Sequence, residues 1–98
     1  MAVLMIMEWN QVTREQYDEV CEIVDFEGKP PPGGLFHVAA FDDKGGLRVA
    51  DLWERAEDFQ AFALQRLMPG VQKAGIQGEP KVAVYPAHNV FTPGYAPR

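Results

Sequence analysis

The sequence predicts an α+β fold: one four-stranded antiparallel sheet carrying two helices. Three observations predict it. Apolar residues alternate or cluster in four short runs and recur at helical spacing in two longer ones. The runs follow the order β-α-β-β-α-β. The chain has 98 residues, room for one domain spanning 1–98 and not for two.

Residues 2–9 read as the first strand, apolar almost throughout until Glu8. Thr13-Arg14-Glu15-Gln16 fits a capping box, in which the Thr13 hydroxyl and the Gln16 side chain satisfy two orphan N–H groups. Tyr17, Val20, Cys21 and Val24 then give the i, i+3, i+4, i+7 stripe of an amphipathic helix ending near Phe26. The stretch 27–34, with three prolines and three glycines, is a connecting loop and a candidate pocket rim. Strands at 35–41 and 47–54 flank a hairpin turn, Asp42-Asp43-Lys44-Gly45-Gly46. A second helix covers 56–68, with Phe59, Phe62, Ala63 and Leu67 inward; Pro69-Gly70 interrupts it, and Gly75 ends a further short turn. The fourth strand covers 80–85, and Pro86 demotes it to an edge strand or a bulged one. Residues 92–98 read as an irregular tail. This order is the split βαβ, ferredoxin-like pattern with sheet order 4-1-3-2, which places the proline strand at an edge.

Alternation sorts the strand residues into two sets. Phe36, Val38, Ala40, Ala50 and Leu52, with Leu4 and Ile6, form a small aliphatic set expected under the helices. Met5, Met7, Trp9, Leu35, Phe41, Val49 and Trp53 form the other, expected to face outward. So large a bare patch exceeds what a soluble monomer tolerates. A homodimer through this sheet face is the expected cover, and its methionines suit a cavity for an irregular ligand.

Fourteen acidic residues against nine Lys and Arg give a net charge of -5. Nucleic acid and anionic membrane surfaces are therefore poor partners. No run approaches the roughly 20 apolar residues of a membrane span. The apolar start lacks the basic flank and cleavage site of a signal peptide. One cysteine, Cys21, allows no internal disulfide and fits a reducing, cytoplasmic setting. No metal-ligand spacing and no nucleotide-binding glycine motif occurs, so no metal and no cofactor is expected.

The run Trp53-Glu54-Arg55-Ala56-Glu57-Asp58-Phe59-Gln60-Ala61-Phe62 resembles the strand-to-helix junction of dimeric α/β barrel proteins, especially those like antibiotic-biosynthesis monooxygenases. The resemblance implies a dimeric α/β barrel. It also implies a superfamily of cofactor-independent monooxygenases, haem-degrading enzymes, polyketide cyclases, isomerase-like enzymes and members without known activity. Arg55 stands where a capping serine is common. No match to the asparagine–tryptophan–histidine set of the haem-degrading branch is present. The ending Pro86-Ala87-His88-Asn89-Val90-Phe91 is similar to the tail of small uncharacterised members.

Chemistry-bearing residues follow from hairpin register. Pairing Phe41 with Leu47 puts Ala39 opposite Val49, His37 opposite Asp51, and Leu35 opposite Trp53. Opposed side chains have Cβ atoms about 4.5–5.5 Å apart. The Asp51 carboxylate would orient the imidazole and leave its other nitrogen as acid or base. The catalytic candidates are thus His37 and Asp51. Trp53, His88, Met5, Met7, Trp9 and Phe41 are candidate substrate contacts. The expected function is binding of a small apolar or aromatic compound, with oxygenation or cyclisation without a cofactor implied by the resemblance. The alternative is a non-catalytic ligand-binding or dimerisation module.

Overall fold

The structure, a computed structural model, describes residues 1–93. Residues 94–98, most of the expected tail, lie outside the described residues. The elements are β1 (Val3–Trp9), α1 (Arg14–Val24), β2 (Gly34–Phe41), β3 (Leu47–Trp53), α2 (Ala56–Phe62), a π-helical turn (Ala63–Leu67), α3 (Met68–Lys73) and β4 (Lys81–Pro86). The sheet order is β2-β3-β1-β4 with every pair antiparallel. This is the expected 4-1-3-2 order counted from the opposite edge. Pro86 closes β4 at that edge, where its missing N–H leaves no ladder position empty.

Local chemistry sets each element. The Thr13 hydroxyl accepts from the Gln16 N–H at 3.1 Å, and the Gln16 side chain accepts from the Thr13 N–H at 3.0 Å. Helix α1 stops at Val24, two residues before its expected end. Asp25 takes a left-handed conformation, φ 53°, and Arg66 caps the Val24 carbonyl with a 2.8 Å hydrogen bond. Arg55 precedes α2 without a side-chain cap. The second helical run does not break at Pro69-Gly70. The proline cannot donate to the carbonyl four residues back and would crowd it, and the ladder widens into the π turn just before it. Gly70 lets α3 lie against α1: a Cβ there would sit 2.8 Å from Val24 Cγ2.

The hairpin register is fixed at its turn. Asp42 Oδ1 accepts from the N–H groups of Gly46 (2.8 Å) and Lys44 (2.9 Å), and Arg48 reaches Asp42 Oδ2 at 2.8 Å. The Gly46 N–H leads in holding this carboxyl below its ordinary range, with Lys44 and Arg48 adding to it. From there Phe41 pairs with Leu47, Ala39 with Val49 and His37 with Asp51, as the sequence predicts. The expected Leu35–Trp53 pair does not form. A bulge between Gly34 and Phe36 brings Gly34 opposite Trp53.

The two sheet faces are the reverse of the sequence expectation. The helices cover the set with large side chains: Met5, Met7, Trp9, Val49 and Trp53 are buried inside the single chain. The small set forms the open face, where Leu4, Phe36 and Val38 stay substantially exposed. Alternation defines two sets but not which one the helices choose. Residue size misleads here, because the large side chains ring a hollow. Charge parity carries the missing signal: Glu8 and Arg48, 3.6 Å apart, and Lys81 beside Glu8 all share the open face.

Candidate functional site

Between the sheet and the helices lies a cavity of about 440 Å³, within the range of small-molecule sites. The inner strands β1 and β3 form its floor, with Met5, Met7, Val49, Asp51 and Trp53. Its roof is the inner stripe of α1, from Tyr17 to Val24, and Phe59 and Phe62 of α2 complete the wall. Glu27, Pro30 and Gly34 belong to the lining and are exposed. The 25–34 loop is therefore where the hollow meets solvent, the rim its prolines and glycines suggested. Among the described residues, no Lys or Arg lines it.

A hydrogen-bonded chain crosses the mostly apolar lining. Trp53 Nε1 donates to Asp51 Oδ2 at 3.1 Å. Asp51 Oδ1 lies 2.6 Å from His37 Nδ1. His37 Nε2 lies 2.6 Å from the Tyr17 hydroxyl. Asp51 is buried at 7% exposure, which two donors, one per oxygen, make tolerable. A carboxylate only accepts, so the neutral imidazole carries its proton on Nδ1 and accepts from Tyr17 at Nε2. The His37 side chain keeps 29% of its exposure and is flanked by rings. Tyr17 lies parallel to it with centroids 6.2 Å apart, and Phe26 meets it edge-on at 4.9 Å. Burial, then the Cys21 thiol, then the charges of Asp51 and Glu27 push the Tyr17 phenol above its ordinary range. Burial likewise pushes the Cys21 thiol up, so neither group ionises readily.

The cavity brings together His37, Asp51, Trp53, Met5, Met7 and Trp9. Trp9 is fixed by donation from Nε1 to the Gln77 carbonyl at 3.0 Å. Two candidates lie elsewhere. Phe41, at the far end of β2, packs edge-on to Tyr17 and under Arg14 and does not line the hollow. His88 follows β4 and borders a groove on the open face with Leu4, Phe36 and Leu52, away from His37. His88 therefore does not join His37, Asp51 and Trp53, because residues 87–93 border the other side of the sheet. Sequence reasoning missed Tyr17 as a site residue, treating it as helical core. Its signal was a hydroxyl on an inward stripe, which needs a polar partner. Among the described residues, no cluster of three or more His, Cys, Asp or Glu side chains could hold a metal, and no helix is long and apolar enough to cross a membrane.

No known family profile matches the sequence, and no curated protein matches it. Solved structures do match the fold. An N63A mutant of SnoaB, a cofactor-independent oxygenase from Streptomyces nogalater, aligns with TM-score 0.69 at 12% identity, over 91% of this chain and 95% of that one. Rv0793 from Mycobacterium tuberculosis aligns with TM-score 0.71 at 10% identity, over 94% of this chain and all (100%) of that one. A Nitrosomonas europaea protein classed provisionally as an antibiotic biosynthesis monooxygenase aligns with TM-score 0.69 at 11% identity, over 89% and 90% of the two chains. The fold is that of antibiotic-biosynthesis-monooxygenase-like proteins.

Proposed function

We propose that the chain is an enzyme of the cofactor-independent monooxygenase kind, which takes a neutral, mostly apolar, aromatic molecule into the cavity and moves a proton there through His37. The observation that carries this reading is a 2.6 Å His37–Asp51 pair at the wall of an apolar hollow of about 440 Å³. Asp51 fixes the tautomer, Trp53 holds Asp51, and the methionines and Phe59 shape the wall. Among the described residues the lining offers an anion no Lys or Arg, and Glu27 stands at the rim, so a neutral ligand fits best. The likeness to SnoaB supports oxygenation as the reaction type. Cyclisation of the same kind of compound would use the same proton transfer.

The reading includes a homodimer. The open face presents Leu4, Phe36 and Val38 to solvent, and a second copy set face to face would cover both patches. Cys21 without a disulfide partner suits a cytoplasmic setting. A second reading, a non-catalytic binding module, is favoured by one observation: Tyr17 and Asp51 occupy both His37 nitrogens, as in a purely structural pair.

A thermal-shift screen of neutral bicyclic and tricyclic aromatics, followed by oxygen uptake with each binder, tests these readings. The enzyme reading expects a binder that consumes oxygen, with uptake lost in His37→Ala while binding persists. Binding with no turnover of any compound favours the module, and no binder at all removes the cavity reading. Sedimentation of Val38→Glu should show a folded monomer where the unaltered chain is a dimer.

A further inference from the structure

The imidazole has no vacant nitrogen. Asp51 occupies Nδ1 and the Tyr17 hydroxyl occupies Nε2, each at 2.6 Å. A ligand entering from the rim can reach His37 directly only by displacing Tyr17. The phenolic oxygen, by contrast, has spent its proton on Nε2 and keeps its acceptor capacity. Tyr17 lines the cavity, and its other polar neighbour is the Cys21 thiol one turn along α1, a weak donor.

We propose that the Tyr17 oxygen, rather than a His37 nitrogen, is the atom that meets the substrate, and that the substrate presents a hydroxyl or enol O–H to it. This rests on the cavity being the binding site. The step balances as a double proton transfer. The substrate's O–H bond breaks and its proton bonds to the Tyr17 oxygen. The Tyr17 proton moves to His37 Nε2, and the electron pair of the broken bond stays on the substrate oxygen. The products are a substrate anion, a neutral tyrosine and an imidazolium beside the Asp51 carboxylate. Once His37 is an imidazolium, the hydrogen bond reverses: Nε2 donates, Tyr17 accepts, and the phenolic O–H turns toward the cavity. The same hydroxyl thus takes a proton in one half of a cycle and returns it in the other. Burial and the charges of Asp51 and Glu27 disfavour a free phenolate, so both protons must move together.

The test compares 2-naphthol, which has a hydroxyl to donate, with 2-methoxynaphthalene, which does not, by calorimetric titration of the full chain at neutral pH. The expected result is that the unaltered protein prefers 2-naphthol by about tenfold, the worth of one well-placed hydrogen bond. In Tyr17→Phe, with folding checked by thermal melt, that preference should fall to near parity while 2-methoxynaphthalene affinity holds. An unaltered protein that binds both compounds equally, or a Tyr17→Phe variant that keeps the preference, overturns the assignment and leaves the cavity standing. If neither naphthalene binds, the cavity reading fails and takes the assignment with it.

Discussion

The two faces of the sheet are both apolar and are built on opposite plans. The covered face carries large side chains whose polar tips all find partners: Trp9 on Gln77, Trp53 on Asp51, His37 between Asp51 and Tyr17. The open face carries mostly aliphatic residues together with Phe36 and Tyr85, with Glu8, Arg48 and Lys81 at one end. The difference teaches that hydrophobicity alone does not identify an interior. A face enclosed by its own chain can place indole, imidazole and carboxylate groups deep in apolar surroundings, because fixed partners satisfy them. The open face keeps its charges at the margin.

The largest expected effect tests this contrast directly. Met5 is fully buried, and Met5→Ala should cost about 2–5 kcal/mol in urea unfolding. Its neighbour on the other face, Leu4, is 38% exposed, and Leu4→Ala should cost at most about 1 kcal/mol at dilutions where the chain is monomeric. Equal costs would erase the distinction between the faces. Next, Asp51→Ala strands two donors, Trp53 Nε1 and His37 Nδ1. A loss of about 2–3 kcal/mol is expected in the same assay, and a neutral result would mean that water replaces the carboxylate.

The smallest effect concerns pH. The unfolded Tyr17 phenol ionises near 10.0, whereas the folded one holds its proton to higher pH. Above that value the unfolded chain binds fewer protons than the folded one, so stability falls as pH rises. The contribution is complete below pH 10 and is lost toward the folded value. Unfolding followed from pH 9 to 11 should show a declining limb that Tyr17→Phe makes shallower. Parallel curves for the two proteins would place Tyr17 in solvent.

Much of this was legible in the chain. Element order, the Thr13–Gln16 capping box, the edge position of the Pro86 strand and the His37–Asp51 pairing all follow from local rules of spacing and turn chemistry. What escaped depends on the third dimension. Strand parity separates two residue sets and is silent on which one the helices choose, a choice that Glu8, Arg48 and Lys81 register only jointly. The bulge at Leu35 is a slip of one residue that no periodicity reports. The meeting of Tyr17 with His37 joins a helix to the strand that follows it across the proline-rich loop, and nothing in the separation of 20 residues announces it.

Asp42 sits at the hairpin end remote from the Leu35 bulge, yet it acts as the index pin of the whole ladder. Because side chains along a strand face alternate ways, moving β2 by a single notch would swing the imidazole to the wet side and bring Phe36 or Val38 opposite Asp51 in its place. The chemistry of the interior is thus set at a surface corner. Lengthening that corner by one residue should unseat the His37–Asp51 pair without altering either residue.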